Sequence, residues 1–179
     1  MNQQVIPAIS NFADFKKFIS LPLTYGILMN FQLAQLPDLV KVMKDNKKKV
    51  FIHSELIKGL SADEYGAIYL IQNLEVDGII SSKPKVIEIC KKRGVTGVFR
   101  FFLKDSISLR QSLELTEKLA PDYLEILPAL STEIISDIKK YIDAKIWMGG
   151  LIKDKNQILK CLSSGAVAVT TSNSEFWTL

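Results

Sequence analysis

Short apolar runs alternate with amphipathic stretches along the whole chain. Runs at residues 5–9, 25–30, 50–54, 78–81, 96–101, 123–127, 145–148 and 166–170 have the length and composition of buried strands. Between them the apolar spacing becomes helical. Phe12, Phe15, Phe18 and Ile19 share a face over 12–19, with Asn11 as the cap, and Leu36, Leu39, Val40 and Met43 do so over 36–46. Asp63 opens a third helix to about residue 74, with Tyr65, Ile68, Tyr69 and Gln72 at helical spacing. Pro84 starts and Gly94 ends a fourth, following the preference for proline first and glycine last. Further helices are expected over 105–119, up to Pro121, from a Ser131 cap to about 141, and over 154–163. The connection from Glu55 to Ala62 exceeds the 2 to 6 residues usual between such elements.

Strands that alternate with helices form parallel sheets with crossover helices. A count of eight predicts an α/β fold of the TIM type, a compact (β/α)8 barrel forming a single domain over 1–179 with a truncated eighth helix. An open, doubly wound sheet is the competing architecture, but no GxGxxG or P-loop follows the first strand. The 179 residues are 47% apolar and 23% charged, enough for a sizeable core and inconsistent with disorder. No stretch approaches the roughly 20 apolar residues of a membrane span, and the polar start is unlike a leader, so a cytoplasmic protein with no membrane partner is expected. Cys90 and Cys161 each stand alone in a helical pattern and read as buried, reduced packing residues.

Function in such a barrel sits where strands end and βα loops begin. Trp147-Met148-Gly149-Gly150 and, one helix later, Thr170-Thr171-Ser172-Asn173 close the last two strands with glycines and hydroxyls. Such loops let backbone N–H groups approach an anion, and a short helix beginning near Asn173 would add the positive end of its dipole. An anion is therefore expected within reach of the amides of Gly150 and of Ser172 or Asn173. Asn30, His53, Glu55, Arg100 and Glu125 fall at or near other strand ends and would handle the rest of a small ligand. His53 is the only histidine, so no histidine-based metal site is available, and no metal or cofactor is expected. No lysine lies in an apolar run near a strand's C-terminal end, which argues against Schiff-base chemistry. No catalytic residue is assigned; from the residues alone, a phosphosugar isomerase stays the alternative to a ligand sensor.

Leu23-Thr24-Tyr25-Gly26, Asp63-Glu64-Tyr65-Gly66, Asp77-Gly78-Ile79-Ile80-Ser81, Pro121-Asp122-Tyr123-Leu124-Glu125, Gly149-Gly150-Leu151-Ile152 and Gly165-Ala166-Val167 recur in order along the chain. Together these segments resemble the glycerol uptake operon antiterminator regulatory protein family. The resemblance implies a barrel without catalytic turnover that senses glycerol 3-phosphate and binds leader mRNA, causing transcription to read through a terminator. It would put the phosphate on the Gly149-Gly150 and Thr171-Ser172-Asn173 loops. The chain departs from the family pattern in Asn30 and Gln32, where Asp and His are usual, and in His53-Ser54-Glu55, where His-x-Asp is usual.

Net charge enters last, because at +4 it permits an acidic partner without requiring one. Lys47, Lys48, Lys49, Lys91, Lys92, Arg93, Lys139 and Lys140 fall at helix ends or strand starts, hence around the barrel floor, where they could contact an RNA backbone or simply complement helix dipoles. Lys58, Lys83, Lys104 and Lys153 at the mouth form the rival surface. A ligand sensor acting through a protein partner is a third possibility, and self-association stays open.

Overall fold

The computed structural model describes residues 3–130 and 132–178. Eight parallel strands, β1 (Val5–Ile9), β2 (Tyr25–Leu28), β3 (Lys49–His53), β4 (Gly78–Ser81), β5 (Thr96–Phe102), β6 (Tyr123–Leu127), β7 (Lys145–Gly149) and β8 (Ala168–Thr171), pair in sequence order. β8 returns to β1, so the barrel closes and the open-sheet alternative is excluded. The helices between them are α1 (Phe12–Ser20), α2 (Leu36–Asp45), α3 (Glu64–Gln72), α4 (Pro84–Arg93), α5 (Ser106–Leu119), α6 (Ile134–Tyr141) and α7 (Lys155–Ser163). In place of an eighth helix there is one 3-10 turn, Ser174–Phe176, so the expected helix dipole after β8 is reduced to a single turn. Ser131, read as the cap of α6, lies outside the described residues.

The caps explain where helices begin. The side chains of Asn11, Asp63, Asp105 and Asp154 each accept a backbone N–H from the first turn of their helix, and Gly94 ends α4 at φ 68. In α3 the helically spaced residues divide, Ile68 and Tyr69 packing against the core. Tyr65 is 79% exposed, and the buried residues are Gly66, Ala67 and Leu70. Gly66 lies so close to the Ser61 carbonyl that a Cβ would sit 1.9 Å from it, so the helix is held to its own lead-in by its smallest side chain.

Period-two alternation divides the strand side chains between two cores. Val5, Ile9, Leu28, Val50, Ile52 and Ile79 face outward into the helices. Ile6, Ile27, Phe51, Ile80, Val98 and Trp147 fill the barrel interior, with Tyr25 and Tyr123 below. Trp147 is wholly buried there, its ring 4.9 Å from Tyr123 and 5.7 Å from Phe51. This apolar plug sets the height of the site. The next inward residue on a strand stands two positions further on, which puts His53 above Phe51, Arg100 above Val98, Glu125 above Tyr123 and Thr170 above Ala168.

At the mouth, the loops after β2 and β3 are stitched together. Asn30 N–H donates to the Leu56 carbonyl (2.7 Å), Lys58 N–H to Phe31 (2.9 Å) and Leu33 N–H to Lys58 (2.8 Å), and Gln32 and Lys58 form a parallel bridge. The long 55–62 connection thus extends the barrel wall. Both cysteines are buried and unpaired. Among the described residues no helix is long and apolar enough to cross a membrane, and no cluster of potential metal ligands occurs.

Candidate functional site

A cavity of about 330 Å³ opens at the C-terminal end of the barrel. His53, Arg100 and Glu125 line one side, Gly150, Thr171, Ser172 and Asn173 the other. Thus the two groups singled out from the sequence converge on one space. Three predicted residues are not part of its lining. Gly149 is buried in the wall, where a Cβ would come 2.1 Å from the Thr170 hydroxyl and 3.3 Å from Glu125 Oε1. Asn30 takes a left-handed conformation (φ 62) and is fixed by its bond to Leu56. Glu55 lies behind His53 and accepts from the Ser82 amide (2.5 Å), the Ser82 hydroxyl (2.7 Å) and the Ser54 hydroxyl (2.8 Å).

The polar side is an ionic chain built on neighbouring strands. Glu125 is opposite Arg100 in the β5–β6 register, and its Oε2 lies 3.2 Å from Arg100 Nε. The Arg100 guanidinium donates to His53 Nε2. His53 Nδ1 faces Glu55 Oε2 at 3.6 Å, too far for a hydrogen bond. The Thr170 hydroxyl donates to Glu125 Oε1 at 2.6 Å. Although Arg100 Nε and Glu125 Oε2 are close, their alignment is not that of a hydrogen bond, so these two atoms and His53 Nδ1 are buried without a hydrogen-bond partner. Leaving such groups unmet costs about 1–3 kcal/mol each, so this chain of charged and polar groups is held at a cost in stability.

The environment sets the charges. Burial, reinforced by the Arg100 guanidinium, pushes the His53 imidazole down to about 4, against a weaker opposing pull from Glu55. His53 is therefore neutral near pH 7, accepting at Nε2 and carrying its proton on Nδ1. Complete burial moves the Glu125 carboxyl above the usual carboxylate range, outweighing Arg100 and the Thr170 hydroxyl. Burial would also raise Glu55, but its hydrogen bonds from Ser82 and Ser54 prevail and hold it below the usual range.

The opposite side is a backbone corner. Gly150 (φ 76) and Leu151 (φ 58) turn the chain through left-handed conformations, and a Cβ on Gly150 would press on Leu127 at 3.1 Å. The Asn173 amide donates to the Thr171 hydroxyl (3.1 Å) and the Trp177 indole to the Thr171 carbonyl (3.0 Å), which fixes this loop. Thr170 was missed in the sequence because a threonine in an apolar run reads as a strand former; the period-two step from Ala168 was the available signal.

The lysines differ between the two ends. On the floor, Lys48 donates to the carbonyls of Leu21 and Leu23, Lys91 to Leu119 and Lys139 to Gly165. Lys49 pairs with Asp77 and Lys140 with Asp137. Among the described residues only Lys47, Lys92 and Arg93 of that predicted set lack a side-chain partner, whereas at the mouth all of Lys58, Lys83, Lys104 and Lys153 are exposed and lack one.

Residues 5–177 match the model of a family described as glycerol-3-phosphate responsive antiterminator. The crystal structure of a glycerol uptake operon antiterminator regulatory protein from Listeria monocytogenes is 35% identical, covers 99% of this chain and 96% of its own, and superposes with a TM-score of 0.95. That of an antiterminator-related protein from Thermotoga maritima is 25% identical over the full length of both chains, with a TM-score of 0.84. The uncharacterized protein YgcP of Escherichia coli is 29% identical over 98% of this chain and 92% of its own. The chain belongs to the glycerol-3-phosphate responsive antiterminator family.

Proposed function

We propose that this member of the family senses glycerol 3-phosphate in the barrel mouth and, when loaded, binds leader mRNA to cause antitermination. The observation that carries the ligand half is the convergence of the Arg100, Glu125 and His53 side chains with a glycine and hydroxyl corner on one small cavity. A phosphate would take the amides of Gly150 and Ser172 and the side chains of Ser172 and Asn173. The glycerol hydroxyls would then meet the Arg100, Glu125 and His53 side chains that line the other side, which offer donors and a carboxylate acceptor. No lysine lines the cavity, so the space suits binding better than carbonyl chemistry through an imine.

For the RNA half, supporting observations are the unpaired Lys58, Lys83 and Lys104 on the consecutive loops after β3, β4 and β5, with Lys153 after β7. Lysines without an intramolecular partner can exchange counterions for RNA phosphates at little internal cost. We assign the RNA contact to this rim in preference to the floor. Phe102, 51% exposed beside Lys104, offers a face on which a base can stack. Ligand would act through the stitched loops that carry Asn30 and Lys58, because the chain Arg100–His53–Glu55–Ser82 runs from the cavity to their neighbours.

Calorimetric titration with glycerol 3-phosphate, glycerol and inorganic phosphate tests the ligand, and gel shift of the glycerol operon leader with and without it tests the RNA. Replacing Lys58, Lys83 and Lys104 by Ala should weaken leader binding by roughly 10-fold or more and reduce its salt dependence, with ligand affinity unchanged. Loss of leader binding on replacing Lys47, Lys92 and Arg93 alone would return the interface to the floor. Binding of inorganic phosphate as tight as that of glycerol 3-phosphate would remove the polyol reading.

A further inference from the structure

α5 is the longest helix and among the least covered. Its 14 residues bury only Thr116 and Leu119, while the 10 residues of α4 bury Val86, Ile87, Ile89 and Cys90. Beside it a groove of about 490 Å³ runs between α5 and the end of α6, floored by Leu109, Leu113 and Ile142 and flanked by Tyr141, itself 74% exposed. Ile107, at 60% exposure, and Leu115, at 38%, stand on other faces of the same helix and do not line the groove. Leu109 and Leu113 pack against the core on one side and stay only partly covered on the other, and an apolar groove left open between them and Tyr141 is poorly explained as a free surface of an isolated chain.

The charges on the groove face indicate what covers it. Ser106, Leu109, Arg110, Leu113, Glu114 and Glu117 recur at helical spacing and line the groove together. Arg110 stands toward the N-terminal end, Glu114 and Glu117 toward the C-terminal end, and none of the three makes an ion pair among the described residues. A helix that is basic at one end and acidic at the other is complementary to itself when run antiparallel. A two-fold axis near Leu113 brings each Arg110 to the other copy's Glu117, places the two Leu113 side chains together, and lets each Tyr141 close the rim.

We propose that the chain forms a symmetric homodimer through the α5–α6 groove, with the two α5 helices antiparallel. This surface lies outside the mouth cavity and the lysine rim, so the dimer stands or falls independently of the ligand and RNA readings. Every contact off the axis occurs twice in such an interface, so the Arg110–Glu117 pair counts double.

Sedimentation equilibrium and light scattering on the full chain, from roughly 1 to 100 µM, test it. The wild type is expected to be a dimer. Arg110→Glu should weaken association about 10-fold by setting like charges opposite one another, and the double exchange Arg110→Glu with Glu117→Arg should restore it. Leu113→Asp should give a monomer. All three positions sit on a partly or wholly exposed face, and circular dichroism checks that the variants fold. A monomer at 100 µM, a dimer that survives Leu113→Asp, or a double exchange that fails to restore association overturns the proposal.

Discussion

The floor and the mouth of this barrel are built from the same strands and treat polar groups in opposite ways. On the floor almost every such group is met. Asp77 accepts from the Val50 amide (2.8 Å) and pairs with Lys49 (2.7 Å), Asp122 accepts from the Gly97 amide (2.8 Å), and the Gln3 side chain bridges to the backbone of Val5, Thr24 and Tyr25. At the mouth, Arg100, Glu125 and His53 are gathered at high desolvation cost and left with unmet atoms. One end holds strands in register, while the other carries the polar groups that the proposed ligand would meet.

The largest effect that could break this contrast is at Arg100. Arg100→Ala is expected to raise the dissociation constant for glycerol 3-phosphate by about 100-fold, because it removes two donors and strands Glu125 in the cavity. An unchanged constant in calorimetry would mean that the mouth is as purely structural as the floor.

His53 sharpens the same point through pH. Its folded value, about 4, lies below the unfolded value of 6.5, so between those limits the native state binds fewer protons than the unfolded state. Its contribution is fully present above about pH 6.5 and is lost as the pH falls toward 4, by up to ~3 kcal/mol. Glu125, raised by burial, acts in the opposite sense above the ordinary carboxylate value. The histidine part is therefore isolated by comparison with His53→Gln, whose urea-unfolding stability should fall less over that window. As the chain's only histidine, it also gives one imidazole signal in NMR, which should stay in its neutral position down to nearly pH 4.

The smallest effect is on the floor. Asp77→Ala should lower stability by about 1–2 kcal/mol through loss of the Val50 bond and the partly exposed Lys49 pair, and leave ligand affinity unchanged once the protein is folded. A drop in affinity as large as that for Arg100→Ala would couple the two ends and dissolve the distinction.

The barrel was legible in the sequence because eight short apolar runs alternate with helically spaced stretches, and because Asn11, Asp63, Asp105 and Asp154 mark helix starts. Position at or near strand ends located Arg100, Glu125 and His53. What was hidden depends on backbone geometry. Asn30 reads as a ligand contact, but its positive φ turns it into a hinge of the wall, and Gly149 reads as an anion loop although its missing Cβ makes room for the Thr170 hydroxyl. The helical spacing in α3 does not say which residues face the barrel, and close approach at Gly66 buries Ala67 and Leu70 and leaves Tyr65 outside. Lysines at helix ends look alike in a sequence, and only the fold reveals that Lys48 and Lys139 reach neighbouring carbonyls while Lys58 and Lys83 reach none.

The two tryptophans divide between plug and outer core, which gives the protein an internal optical reporter. Trp147 is sealed in the barrel centre, outside the lining of the cavity, and is expected to supply the steadier emission. Trp177 anchors its indole to the Thr171 carbonyl at the foot of the glycine and hydroxyl corner, so occupation of that corner should alter its emission wavelength. Trp177→Phe would leave a silent signal and Trp147→Phe a responsive one, so occupancy could be followed by light alone without labelling either ligand or RNA.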